Sequence, residues 1–366
     1  MKKINFYSGP AILPQEVIDQ AKDALTDFAG SGLNILEISH RSKEFVKVME
    51  EARLLVRELM QLKDDREVLF LQGGASSQFY MVPMNLLNEN ETAAYFDTGQ
   101  WAHGAMEEAK NFGHVHIACS SKEDKYHHIP TQYRIADFSK YLHITSNNTV
   151  YGTQFHWWPQ PKCATVVDMS SDIFSRKVDF NRFDLIYAGA QKNMGAAGTT
   201  LVVVNKNILG NVDRKLPKML DYQTHIKAES MSNTPSAFAV YVTYLTLQWT
   251  KKQGLQAIEE RNIRKAAKLY AAIDSSSLFK GTVATEDRSL MNVCFNIPST
   301  TLPREGGLLT NELEEKFIAF AAEHGIVGIK GYRTVGGFRA SIYNAMPESG
   351  IDTLIEVMRE FEKNHA

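Results

Sequence analysis

The stretch Asp184-Leu-Ile-Tyr-Ala-Gly-Ala-Gln-Lys192-Asn-Met-Gly-Ala-Ala-Gly198 decides how this chain reads. Its first part, 184–188, is a short apolar run of the kind that forms a strand buried on both faces. It passes directly into a segment where Gly189, Ala190, Gly195 and Gly198 surround one lysine. A lysine is ordinarily a solvated surface group. After a buried strand and among small neighbours, Lys192 reads instead as a cleft residue. Loss of solvent lowers the pKa of an amine and makes it a nucleophile, which suits Schiff-base chemistry.

Six similar apolar runs lie outward from this one, at 67–71, 92–97, 114–118, 142–145, 164–168 and 200–204. Helical periodicity falls between and after them, at 15–29, 43–62, 75–88, 102–111, 235–252 and 256–275. The alternation predicts an α/β fold, a mainly parallel seven-stranded sheet with helices on both faces. Beyond residue 275 the texture changes to short strand-like pieces at 290–297 and 337–343 among helices at 310–324 and 350–363. This predicts a smaller α+β domain. The expected division is a large domain over 16–260 and a small one built from 1–15 and 261–366. The first 15 residues, with Pro10 and Pro14, are expected to pack on the small domain or the cleft.

Composition excludes several classes. The 366 residues carry 40 basic and 42 acidic groups, a net charge of -2, which gives no field to attract nucleic acid or an anionic membrane. Cys119, Cys163 and Cys294 are too few and too scattered for a disulfide framework or a zinc site. No apolar run approaches the ~20 residues that span a bilayer. The opening residues lack an apolar signal core, so a cytoplasmic protein is expected.

In parallel α/β sheets ligands bind beyond the carboxyl ends of the strands. There this sequence places Gln72-Gly73-Gly74-Ala75-Ser76-Ser77, Thr98-Gly99-Gln100-Trp101, Ser146-Asn147-Asn148-Thr149, Asp168, and Gln191-Lys192. The small residues at 73–77 suit a tight turn and helix start that could seat a phosphate. They lack the lysine and Ser/Thr of a nucleotide-binding loop, which argues against an ATP-binding protein. A strand-end acid such as Asp168 is more often a simple helix cap. Phosphate seat, acid, aromatic ring and buried lysine together describe a pyridoxal phosphate site.

The segment 184–198 resembles the lysine signature of class V pyridoxal-phosphate-dependent aminotransferases. Four more stretches resemble the phosphoserine-forming branch of that family: Asn5-Phe-Tyr-Ser-Gly-Pro-Ala-Ile-Leu-Pro14, Ile38-Ser-His-Arg-Ser42, Ser232-Asn-Thr-Pro-Ser236 and Gly336-Gly-Phe-Arg-Ala-Ser-Ile-Tyr-Asn-Ala345. The resemblance implies the fold type I transferase architecture, with Lys192 holding pyridoxal phosphate as a Schiff base and then moving the Cα proton. It implies that Asp168 partners the pyridine nitrogen, Trp101 stacks on the ring and Thr149 bonds its phenolic oxygen. Ala75, Ser76 and Gln191 would hold the phosphate, joined by Asn233 and Thr234 from the other subunit of a homodimer. Read without the family, Asn233-Thr234-Pro235 is a helix start with a Thr cap and Pro in the first turn.

The implied substrates are L-glutamate and 3-phosphohydroxypyruvate, giving O-phospho-L-serine and 2-oxoglutarate on the route to serine. A related phosphorylated oxo acid on the route to pyridoxal phosphate is a further implied substrate. Arg339 would take the α-carboxylate, and Ser8, His40, Arg41 and Arg333 would line the remaining substrate site. Two positions depart from the family pattern. Ser76 stands where many members carry arginine, and Tyr332 where many carry histidine, so the distal anion site has fewer positive groups. A cysteine desulfurase of the same class would need a reactive cysteine, and Cys294 sits in a strand-like run.

Overall fold

The computed structural model describes residues 3–298 and 312–365. The chain opens with the short strand β1 (Ile4–Asn5), then the helices α1 (Gln15–Ala24) and α2 (Lys43–Met60). An alternating stretch follows: β2 (Arg66–Leu71), α3 (Gly74–Leu86), β3 (Thr92–Asp97), α4 (Gln100–Ala109) and β4 (His114–Ser120). Next come β5 (Ser139–Thr145), β6 (Ala164–Asp168), β7 (Leu185–Gly189) and β8 (Thr200–Asn205). The remainder holds α5 (Tyr222–Lys227), α6 (Ala237–Gln253), α7 (Leu255–Ser275), β9 (Lys280–Gly281) and β10 (Asn292–Asn296). It ends with α8 (Glu312–Glu323), β11 (Ile326–Val327), β12 (Phe338–Ser341) and α9 (Glu348–His365).

All seven apolar runs become one seven-stranded sheet, in the order β2-β8-β7-β6-β5-β3-β4. It is mainly parallel, and β8 alone runs against both its neighbours. The connection over 190–199 is too short for the crossover that a parallel β7–β8 pair would need. Both faces are covered, and successive residues point to opposite cores. Val68, Phe70, Leu201 and Val203 join α2 and α6 on one side. Leu69, Leu71, Val202 and Val204 join α3 and α4 on the other. That double burial is why the strands read as continuous apolar runs rather than alternating ones.

A separate apolar core gathers Phe6 with residues of α7, α8 and α9 and of β10 and β12. It rests on a three-stranded sheet, β12-β10-β9, and on the pair β1–β11. The amino-terminal segment reaches both regions. Ile4 pairs with Ile326, and the Ala11 N–H donates to the Gln191 carbonyl at 2.9 Å. Helix α7 runs through residue 260 without a break and contributes Ala266, Leu269 and Ile273 to this second core.

Several element bounds differ from expectation. Helix α1 stops at Ala24, because the chain turns through Gly30 and Gly32, both at positive φ, with Asp27 accepting from the Gly32 N–H. Helix α6 begins at Ala237 behind Ser236, so Thr234 is not its cap and Pro235 lies before it. The expected start of α8 at 310–311 lies outside the described residues. The pairs β1, β9 and β11 are two residues each, too short to leave a period in the sequence.

Candidate active site

Because β2, β3, β5, β6 and β7 point the same way, their carboxyl ends share one edge of the sheet. Thr200 of β8 pairs with Leu71 on one side and Gly189 on the other. The loop at 72–77 and the turn bearing Lys192 therefore flank the same point. Asp168 closes β6 opposite Tyr187.

The glycine loop takes the shape its sequence requires. Gly73 sits at φ +94, and a Cβ there would lie 1.8 Å from Ser77 Oγ. Helix α3 starts directly behind it, so the N–H groups of its first turn, at Gly74, Ala75 and Ser76, have no carbonyl within the helix to bond. Such a terminus favours an anion.

Asp168 is buried, 4 % exposed, and its Oδ1 accepts from the Ser170 N–H at 2.8 Å. The carboxylate thus holds the turn after its own strand instead of capping an α-helix. Burial raises its pKa, and the positive charge of Lys192 partly offsets that rise. Lys192 is half-buried. Desolvation lowers the amine's pKa, opposed by the charge of Asp168 and reinforced by Arg339. Lys192 is thus near enough to both Asp168 and Arg339 to feel their charges.

A hydrogen-bonded chain joins the aromatic and cationic groups. The Trp101 indole N–H donates to Thr149 Oγ1 at 3.0 Å. Arg339 Nη1 donates to the Thr149 carbonyl at 3.1 Å. Arg339 Nε is buried and has no hydrogen-bond partner among the described residues. The Tyr332 ring meets Trp101 edge-on at 6.5 Å. From the amino-terminal segment, the Ser8 carbonyl accepts from the Tyr343 hydroxyl at 2.8 Å.

Other expected residues stand apart from that chain. His40 and Arg41 lie just before α2, where Ser42 Oγ caps the helix by accepting from Phe45 N–H. Arg41 is exposed, and His40 Nε2 is buried with no partner among the described residues. Arg333 is exposed in the loop before β12. Asn233 and Thr234 sit beside the glycine loop of their own chain, where Gln72 Nε2 donates to the Thr234 carbonyl at 2.8 Å.

Sequence reasoning missed a buried polar layer behind Asp168. The Ser146 hydroxyl lies within hydrogen-bond reach of both the Asp168 carbonyl and Asp172 Oδ1, with one proton to donate. Asp172 Oδ2 also accepts from Gln154 Nε2 at 3.1 Å and Arg176 Nη2 at 3.2 Å. Asp172 stands four residues after Asp168, but nothing in the sequence joins it to Ser146.

Burial raises the pKa of all three cysteine thiols. Cys294 is buried in β10 and donates weakly to the Val150 carbonyl at 3.7 Å. Burial pushes its thiol up to about 12, so it supplies no thiolate nucleophile. Among the described residues no cluster of metal-ligating side chains occurs. No helix among them is long and apolar enough to cross a membrane.

A class-V aminotransferase family model matches residues 4–354, and the chain belongs to that family, the pyridoxal-phosphate-dependent transaminases of class V. A phosphoserine aminotransferase from Parabacteroides distasonis is 53 % identical over the whole of both chains. One from Flavobacterium johnsoniae is 56 % identical over 99 % of each. The solved phosphoserine aminotransferase of Bacillus circulans subsp. alkalophilus superposes with a TM-score of 0.94 at 40 % identity, covering 100 % of this chain and 99 % of that one. Within the family, the chain groups with the phosphoserine aminotransferases.

Proposed function

We propose that the chain transfers the amino group of L-glutamate to 3-phosphohydroxypyruvate, giving O-phospho-L-serine and 2-oxoglutarate, with pyridoxal phosphate as its cofactor. The observation that carries this reading is the pairing, at one sheet edge, of a desolvated lysine and a buried acid. The donor set suits the cofactor: free N–H groups at the start of α3 for a phosphate, a carboxylate for a ring nitrogen, and a flat indole anchored by Thr149. A solved relative from Trichomonas vaginalis, 32 % identical with a TM-score of 0.91 over 98 % of this chain and 100 % of that one, is described as bound to this cofactor. When bound, pyridoxal phosphate supplies an electron-withdrawing ring that stabilises negative charge at the substrate Cα.

The protein's groups divide the remaining work. Lys192 attaches the cofactor, and its amine, held neutral more readily than a surface lysine, takes and returns the Cα proton. Asp168 holds a proton on the ring nitrogen. Trp101 and Thr149 orient the ring, while Ala75, Ser76 and Gln191 hold the phosphate. Arg339 receives the α-carboxylate, which its unpaired Nε suits, and Ser8, His40, Arg41 and Arg333 surround the rest of the substrate. Thr234 is exposed with only its carbonyl engaged, a disposition that suits a reach toward a second copy of this chain. In that homodimer Asn233 and Thr234 complete the neighbouring phosphate seat. The cores on the two faces of the seven-stranded sheet and the separate core around Phe6 support a large cofactor domain near 16–260 and a small one from 1–15 and 261–366. The reading places the enzyme in the cytoplasm, in serine formation and also in the supply of pyridoxal phosphate.

Steady-state rates test the substrate. With L-glutamate as donor, kcat/KM for 3-phosphohydroxypyruvate is expected to exceed that for unphosphorylated hydroxypyruvate by at least about 100-fold, since a cationic site rejects an analogue that leaves it unpaired. Equal rates contradict the assignment.

A further inference from the structure

Lys265 stands on α7 in the run Arg264-Lys265-Ala266-Ala267-Lys268, which reads as an ordinary helix surface. It is nevertheless 0 % exposed. Its Nζ donates to the carbonyls of Ile342 and Tyr343, both at 2.7 Å. One turn earlier, buried Asn262 donates through Nδ2 to Asn344 Oδ1 at 2.8 Å. Arg261 Nη2 donates to the Asn344 carbonyl at 3.5 Å. One face of α7 thus grips three consecutive residues, 342–344, which directly follow β12.

The gripped segment touches both halves of the candidate site. Strand β12 carries Arg339, three residues before Ile342. The Asn344 N–H donates to Asn193 Oδ1 at 2.9 Å, on the residue next to Lys192. Burying an amine is unfavourable, and desolvation together with Arg261 brings the Lys265 pKa down to about 7. The neutral amine still keeps two N–H groups, so both carbonyls remain paired in either protonation state. A leucine or methionine would fill the space without the desolvation cost, but it would take the amine from both carbonyls and leave Tyr343 with only its bond from the Met346 N–H, at 2.9 Å.

We propose that Lys265 is a positioning residue for substrate binding, fixing residues 342–344 so that the Arg339 guanidinium is held in register with the Lys192–Asn193 turn. The inference rests on reading Arg339 as the carboxylate seat. It is tested in the cofactor-loaded enzyme with Lys265→Met, alongside Arg339→Lys. Lys265→Met is expected to raise KM for L-glutamate and for the oxo acid roughly tenfold, with kcat changed less than about twofold, the pattern of lost binding shared by ground and transition states. A purely structural role would instead lower thermal stability and leave KM unchanged, and that result overturns the proposal. If Lys265→Met does not fold, Asn262→Ala reads the same grip: a KM increase of at least roughly threefold supports it, and an unchanged KM overturns it. Arg339→Lys separates the two ideas. If it leaves KM unchanged, the carboxylate seat is wrong and the inference falls with it. If it raises KM while the α7 variants do not, only the inference falls.

Discussion

Lys192→Ala is expected to lower kcat/KM for transamination by at least roughly 10⁴-fold, the upper end of what one positioned proton-transfer group supplies. On the proposed mechanism the loss is this large because one side chain would both attach the cofactor and move the proton. No neighbour can replace it. Asp168 is an acid fixed by the Ser170 N–H, the Arg339 guanidinium is tied to the Thr149 carbonyl, and Cys294 is a buried thiol. The fold should survive the change, since Lys192 lies in the turn over 190–195 rather than in an apolar core. The check is a rate measured on protein whose circular dichroism and melting match the wild type. Activity within tenfold of wild type would remove Lys192 from the chemistry.

Asp168→Asn is expected to separate activity from stability. Activity should fall roughly 10²- to 10³-fold, the cost of losing one preorganised charge at the reacting centre. An amide has nearly the shape of the carboxylate but cannot hold a proton on a ring nitrogen. Stability of the cofactor-free protein should move the other way. Burial raises the Asp168 pKa above its ordinary 3.8. The folded state therefore binds the proton more tightly than the unfolded chain does. Its contribution is fully present below the unfolded value and is lost as pH rises through the folded one. At neutral pH the buried charge opposes folding, and the amide relieves that by about 1 kcal/mol. Denaturant midpoints of both apoproteins at pH 7 and in the acid range provide the check. An Asn variant less stable than wild type at pH 7 would contradict the account.

The strands were legible because of where they lie. With α2 and α6 on one face and α3 and α4 on the other, every position of Val68–Leu71 or Leu201–Val204 faces protein, and the sequence shows it as unbroken apolar runs. Lys192 was legible because glycine and alanine cannot shield a lysine on an open surface, so their company indicates a cleft. Lys265 was not legible. Its neighbours are those of a solvated helix face, and only the approach of residues 342–344 buries it. The Ser146–Asp172–Arg176 layer was hidden for the same reason, since its partners meet only after β5 and β6 pair. The start of α6 went astray by two residues because Thr234 and Pro235 carry the local signals of a helix start, while the helix itself begins behind Ser236.

Reduction of the cofactor-loaded protein with borohydride, followed by peptide mapping, tests the central claim most directly. Among the described residues two lysines have desolvated amines of lowered pKa, Lys192 at the sheet edge and Lys265 on α7. The Lys265 amine is engaged with two carbonyls and wholly buried, whereas Lys192 is part-exposed in the turn after β7. The account predicts one pyridoxyl phosphate group per chain, on the peptide containing Lys192. A label on any other lysine, or none on protein that binds the cofactor and is active, would contradict it.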